Sequence, residues 1–332
     1  MGLALLASLT VLALAFVLHD RALLPWTLVQ IVRCLWPLHS SFAGVVEQWA
    51  WETWAAERAT ERFAPDEVPT LAVGEVPAGL KRPFIVRGLL NASGSPLLGG
   101  FDWLMRPPVG ELQVSFFSNA SAAHAIVPDA RARLADVVGK IVAGGPQKIG
   151  TELIFRRFPE LLAQLGVAEA AAPLLGGTQH VAAHRLGFTL TVPVFMASGA
   201  PQVRTDLHCE PIGNLMLQLG GSKLWTLVPP SESRYLWPAV APDGRAYFYS
   251  RMPALEPEVS LAHVRRWRVE SRTGDALWVP TWTWHRVDYL PHVTALSASL
   301  FHFRPEQTAH NALYSALAVP NVLKELVGWK TQ

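Results

Sequence analysis

A chain of 332 residues, half of them hydrophobic and only 16% charged, has enough apolar material for a sizeable core, which excludes an intrinsically disordered protein. Its formal charge of +2 is too small to argue for the dense basic surface that phosphate-backbone binding needs, so no nucleic-acid partner is expected. Two cysteines, Cys34 and Cys209, exclude a disulfide framework.

Residues 1–18 carry no charge and are mostly Leu, Ala and Val, close to the ~20 apolar residues that cross a bilayer. The run is longer than the roughly 7 to 15 apolar residues of a cleaved signal. An N-terminal membrane-anchor helix over residues 1–20 is therefore expected, with the membrane as a partner. Arg21 and Arg33 follow the run, which by the positive-inside rule would leave the rest of the chain cytosolic. Against this stand the sequons Asn91-Ala92-Ser93 and Asn119-Ala120-Ser121, usable only in the secretory lumen. The apolar stretch 22–44, broken by Pro25, Arg33 and Pro37, could lie along or re-enter the membrane and reverse the topology. The expectation is a membrane-anchored protein of the endoplasmic reticulum or secretory pathway, its catalytic domain luminal.

Residues 21–64 are expected to form an amphipathic, helical linker, because aromatics recur at helical spacing over 45–62 and Pro65 stops the pattern. Between 68 and 117, short apolar runs at 83–89 and 111–117 alternate with Gly and Pro, a strand-and-turn rhythm. Residues 129–142 and 152–165 have helical patterns, and the Ala-rich stretch 167–175 is a linker or a further short helix. From Arg185 onward, eight short strands separated by Gly, Pro or Asp turns predict a sandwich or jelly roll. Arg265, Arg266, Arg268 and Arg272 fit the solvated face of one of these strands or, as the alternative, a contact for an acidic substrate. The domain so delimited is 65–305. The last segment, 306–332, is helical over 306–327 and would cap the barrel or pair with a second subunit in a homodimer.

His208 and Glu210 alternate on one strand and so share a face, while Cys209 points the other way. His285, from a later strand, would complete a face of two histidines and one carboxylate, which leaves open positions on non-haem iron(II). A structural zinc site would close its tetrahedron with more Cys or His. Asp206, two residues before His208, competes with Glu210 as the carboxylate. Lys223, on a strand otherwise lined by Trp225 and Leu227, is costly to bury without an anion beside it. Asn214 and Gln218 alternate onto one face with Met216 and either orient a ligand or are satisfied by backbone. Trp278, Trp282 and Trp284 are expected in the core, and His263, His292, His302 and His310 are expected to be structural.

The stretch Thr205-Asp-Leu-His208-Cys-Glu210-Pro-Ile-Gly-Asn214, continued through Lys223-Leu-Trp225, together with Gly274-Asp275-Ala-Leu-Trp-Val-Pro280-Thr-Trp-Thr-Trp284-His285, resembles the JmjC/cupin-like oxygenases. Within them it is most similar to the asparaginyl hydroxylase that inhibits hypoxia-inducible factor. The likeness runs over about residues 186–305. It implies a mainly β protein, a double-stranded β-helix (jelly roll, cupin-like) with flanking α-helices, that holds Fe(II) through His208, Glu210 and His285. It also implies 2-oxoglutarate as co-substrate, chelating the metal and reaching Lys223 with its far carboxylate. Thr205 would add a hydroxyl there, although strict alternation sets it opposite His208, so a bulge is needed. Asn214 is expected at the cofactor.

The reaction implied is hydroxylation with release of succinate and carbon dioxide, on a protein or peptide substrate, because the resemblance is to protein hydroxylases rather than to histone demethylases. Two departures stand out: the carboxylate is Glu rather than the commoner Asp, and Ser297-Ala298-Ser299 replaces the region where the hydroxylase has an Asn. Two rivals remain at this point, a non-catalytic cupin-like binding module and a metal-dependent cupin that does not use 2-oxoglutarate. Lys223 argues against both.

Overall fold

The structure, a computed structural model, describes residues 20–35, 41–75, 79–122, 127–166, 183–184, 187–241, 245–253 and 257–326. The expected anchor at 1–18 and the Ala-rich stretch 167–175 lie outside the described residues. The chain divides into two compact units, one of Met1–Phe63, Ser231–Val264 and Leu313–Thr331, the other of Ala64–Pro230 and Arg265–Ala312.

The second, larger unit carries the strands expected of a jelly roll. Asp66–Glu67 (β1), Thr70–Leu71 (β2) and Phe84–Val86 (β3) come first, then Gln113–Phe117 (β4), Ala130–Arg133 (β5) and Lys148–Thr151 (β6). Ala183–His184 (β7), Gly187–Thr191 (β8), Val194–Ala197 (β9), Arg204–Cys209 (β10), Gly213–Gly220 (β11) and Ser222–Val228 (β12) follow in close succession. Pro238–Val240 (β13) and Phe248–Ser250 (β14) belong to the smaller unit, after which Trp267–Arg272 (β15), Ala276–Val279 (β16), Trp284–Tyr289 (β17) and Ala295–Phe303 (β18) complete the larger one. One of its sheets runs β1-β15-β12-β17-β10, and the other β2-β3-β16-β11-β18-β9-β6-β4-β5 with β8 also on β18. The unit is thus mainly β with flanking helices, an arrangement that fits a cupin-like jelly roll.

Alternation along β11 explains how this architecture makes both a core and a site. Leu215, Leu217 and Leu219 join the cluster that also holds Leu134, Val137, Val138 and Ile141 of the helix Leu134–Val142. The alternate residue Met216 joins a second cluster with Trp225, Leu227, Val279, Val287 and Tyr289, drawn from both sheets. Asn214 and Gln218 share the Met216 side of the strand, and all eight residues of β11 are buried. A strand buried on both faces can offer polar side chains to the interior while its other face supports the helix layer.

Several elements differ from the sequence expectation for identifiable reasons. The helix expected over 129–142 begins only at Leu134, because Ala130–Arg133 alternates and pairs with β4, Gln113 opposite Arg133. The pattern over 152–165 is two helices, Leu153–Arg157 and Pro159–Gln164, since Pro159 cannot supply the next backbone donor. β6 was not expected at all, being four residues long with Lys and Gly inside it. Trp278, Trp282 and Trp284 are core residues, as expected. Arg265, Arg268 and Arg272 are exposed, whereas Arg266 is buried.

In the smaller unit, Leu23–Leu35 (α1) packs on Ser41–Ala56 (α2), and the latter ends six residues before the expected Arg62. Trp26 of α1 stacks on Phe248 and Tyr314 and meets Trp54 edge-on. Among the described residues, no helix is long and apolar enough to cross a membrane.

The turn between β11 and β12 depends on Gly221, at φ +66°, where a Cβ would fall 2.1 Å from the Thr294 carbonyl oxygen. An alanine there combines left-handed backbone strain with a clash against main chain. Gly221→Ala is expected to cost about 2 kcal/mol or more in urea unfolding, and an unchanged midpoint would show that the turn is not so constrained.

Candidate functional site

Strand β17 is the ruler of the site. It pairs with β10 so that His285 lies opposite His208, and with β12 so that Leu227, Trp225 and Lys223 lie opposite His285, Val287 and Tyr289 in turn. Side chains two apart share a face, so His285, Val287 and Tyr289 line one track from a histidine end to a lysine end. The track spans four residues, roughly 13 Å of strand.

At the histidine end, ligand atoms of His208, Glu210 and His285 all lie within 4.8 Å of one another, and the two imidazole centroids are 4.1 Å apart. His208 Nδ1–H donates to the Asp206 carbonyl at 2.8 Å and His285 Nδ1–H to the Thr283 carbonyl at 3.1 Å. These bonds select the tautomer whose Nε2 carries the lone pair and hold each ring at a fixed angle, as a metal ligand requires. Burial pushes the His285 imidazole down to about 4, against a smaller upward pull from the Thr283 carbonyl, so the ring is neutral at physiological pH. Asp206, the competing carboxylate, is instead paired with Arg204 at 2.5 Å. The loop before β17 is tied to the carboxylate strand: Trp282, held at φ +61°, donates its backbone N–H to the Glu210 carbonyl at 2.9 Å. Its indole donates to the Thr308 carbonyl, so the helical turn Pro305–Thr308 braces the same loop.

Thr205 reaches the interior through an irregularity in β10. Between Thr205 and His208 the strand advances three residues while β17 advances two, from Val287 to His285. That extra residue is a bulge, and it moves Thr205 onto the His208 face. Thr205 then shares a hydrogen bond with the Tyr289 hydroxyl and accepts one from Lys148 Nζ at 3.3 Å.

The far end of the track holds two buried lysines. Lys223 donates to the Ser297 hydroxyl and lies with its Nζ 5.4 Å from the Tyr289 ring centroid. Among the described residues no carboxylate pairs with it. Lys148, from the unexpected β6, also donates to the Arg204 carbonyl and stands over the Phe117 ring. Burial, and then the positive charge of Lys148, push the Lys223 ammonium down to about 7. Burial likewise pushes the Tyr289 phenol up, with Thr205 pulling it back. Two ammonium groups beside hydroxyls in an apolar interior make a receptor for an anion.

Other inward groups divide between support and reception. Gln218 is structural, donating to the Gly220 and Leu296 carbonyls and accepting from the Ser271 hydroxyl. Asn214 Oδ1 and Ser299 Oγ are buried and, among the described residues, have no hydrogen-bond partner. They lie on paired strands, Ser299 opposite Met216, so groups on one interior face await a ligand. Sequence reasoning missed Lys148 and Tyr289, and it noted Ser297 and Ser299 only as a departure from the hydroxylase's Asn without giving them a role. Only the alternation of Lys223, Trp225 and Leu227 hinted that an interior charge existed.

The Lys223 shift has a definite consequence for stability. The unfolded chain holds a proton on this lysine up to about 10.5 and the folded chain only up to about 7. Between these values the unfolded state binds more protons, so without an anion stability rises with pH across the window; below pH 7 the full cost of the buried ammonium persists. Lys223→Met should therefore be more stable than the parent at pH 7 by a few kcal/mol, with the gap closing by pH 10. Denaturant unfolding at both pH values measures this, and a variant less stable at pH 7 would contradict it.

Residues 134–309 match the family model described as the cupin-like domain. Over 101 residues the chain is 31% identical to HSPB1-associated protein 1 of Rattus norvegicus and of Mus musculus, covering 29% of this chain and 21% of each relative. The Danio rerio homolog of that protein is 29% identical over a stretch of the same length, 22% of its own chain. These matches span about a fifth of the curated relatives' length. The family model covers more than half of this chain, including every residue of the histidine and lysine ends, and the chain belongs to the cupin-like domain family.

Proposed function

We propose that this protein is an Fe(II)- and 2-oxoglutarate-dependent oxygenase that hydroxylates a protein side chain, with the metal held by His208, Glu210 and His285. The observation that carries the reading is the pairing of three convergent donors with two buried ammonium groups along one interior track. The donor set fits a divalent metal that keeps open positions. The lysine end fits the far carboxylate of a short 2-oxo acid whose other end chelates that metal. When bound, iron and the 2-oxo acid supply the oxygen activation.

The protein's own groups then have distinct tasks. Glu210 contributes the anionic ligand, and the backbone bonds at His208 and His285 keep both rings aimed. Lys223 and Lys148 neutralise the distal carboxylate, while Thr205 and Tyr289 present hydroxyls to it. Trp225, Leu227 and Val287 form apolar walls between the two ends and exclude water. Asn214 and Ser299 offer an acceptor and a hydroxyl to whatever enters. The likeness to the asparaginyl hydroxylase motifs supports a protein or peptide as substrate and hydroxylation rather than demethylation.

Purified full chain with iron(II) is expected to form succinate from 2-oxoglutarate, and His208→Ala and Lys223→Ala to reduce this to background. Lys148→Met should weaken 2-oxoglutarate binding to the manganese(II)-loaded protein about 10- to 100-fold, the equivalent of one charge-assisted hydrogen bond of ~1.5–3 kcal/mol. Equal succinate from the parent and the first two variants would overturn the oxygenase reading. Unchanged binding in Lys148→Met would remove only the second lysine from it.

A further inference from the structure

Helix α1 is apolar on its exposed side as well as on the side that packs Trp26 into the core. It buries its amide, Gln30, which is fully enclosed, and exposes Leu24, Leu28, Ile31 and Val32, at spacings of four, three and one along one side. Gln30 donates to Glu47 of α2 at 2.8 Å and accepts from the Val240 backbone N–H. Glu47, also fully buried, is bound in turn by Arg251. A spine of polar groups therefore lies inside the smaller unit. The first turns of α2 continue the pattern, with Val45 64% and Trp49 46% exposed while Glu47 between them is enclosed. Exposed Gln48 donates to Glu52 beside Val45 and Trp49, while Asp20 accepts from the Trp54 indole and Glu57 pairs with Arg234 past the end of α2.

Scattered exposed apolar residues are ordinary, but a continuous stripe on a helix whose one amide is enclosed matches a lipid solvent. The occupant is indicated by the chain itself. Residues 1–18 are uncharged and mostly apolar, and Leu24 opens the exposed stripe only six residues after them. A segment of that length and character partitions into a bilayer, which holds the next helix at the membrane surface. Trp49 has the amphipathic ring favoured at that depth, and exposed Arg21 stands where an anionic headgroup would meet it.

We propose that α1 and the first turns of α2 lie flat in a lipid bilayer interface, with Leu24, Leu28, Ile31, Val32, Val45 and Trp49 at the boundary between headgroups and acyl chains. The smaller unit is then a membrane platform in its own right, and residues 1–18 are not the sole attachment. This inference does not depend on the oxygenase reading.

Nitroxide labels on the full chain test it, at Leu28→Cys and Val45→Cys with Glu57→Cys, past the end of α2, as the exposed polar control, each in a Cys34→Ser background. The chain is bound to vesicles of phosphatidylcholine and phosphatidylserine. Labels at positions 28 and 45 should collide more often with oxygen than with a water-soluble nickel chelate, and position 57 should show the reverse. The two apolar positions guard against one variant failing to fold. Nickel accessibility at 28 and 45 equal to that at 57 would overturn the proposal, leaving residues 1–18 as the only attachment. Dipolar broadening between labels, without the oxygen preference, would overturn it in favour of a second copy. A chain that does not float with the vesicles would overturn it outright.

Discussion

The site rests on the register of β17 against its two neighbours. One pairing sets His285 opposite His208, the other sets it opposite Leu227, and the same alternation then forces Tyr289 to face Lys223. A slip of one residue on β17 would turn its whole inward set to the opposite face, separating the histidines and removing the phenol from the lysine at one stroke. The metal end and the anion end are for this reason a single geometric object. Trp282 secures it from outside by tying the loop before β17 to the Glu210 main chain despite a backbone conformation that L-residues rarely adopt.

Both units bury polarity that would be cheaper in water. In the larger one, Lys223 and Lys148 repel one another in an apolar interior, a cost that makes sense where an anion offsets it during function. In the smaller one, Gln30, Glu47 and Arg251 form a closed chain of hydrogen bonds, so this spine needs no relief by a ligand. The contrast separates a receptor from a scaffold: unsatisfied Asn214 Oδ1 and Ser299 Oγ accompany the two lysines, whereas Gln30, Glu47 and Arg251 satisfy one another beneath exposed aliphatic residues.

Much of the site was legible because strand alternation is a local rule. His208 and Glu210 on one face, and Lys223 with Trp225 and Leu227 on another strand, follow from period two alone. Thr205 shows the limit of the rule: alternation put it on the wrong face, and only a bulge opposite β17 corrected it. Gln218 shows another limit, since its partners, the Leu296 carbonyl and Ser271, are supplied by strands more than fifty residues away. Ala130–Arg133 and Lys148–Thr151 were missed as strands because four residues carry too little periodicity to outweigh a neighbouring helical pattern.

The chain by itself determined that a mainly β domain with a His-x-Glu pair, a distant histidine and an interior lysine would form, because apolar content, turn residues and alternation are properties of the linear order. What the tertiary structure decided is who meets whom. Lys148 joins Thr205 and Lys223 only because β6 closes onto β9 and β4 in the opposite sheet, a non-local pairing that no short window of residues encodes. Likewise the pattern of α1 announces two faces, but not which is covered. The packing of Trp26 on Phe248 and Tyr314 turns Gln30 inward and leaves the leucines outside, since helical periodicity fixes the angle between faces and leaves their environment to the rest of the fold.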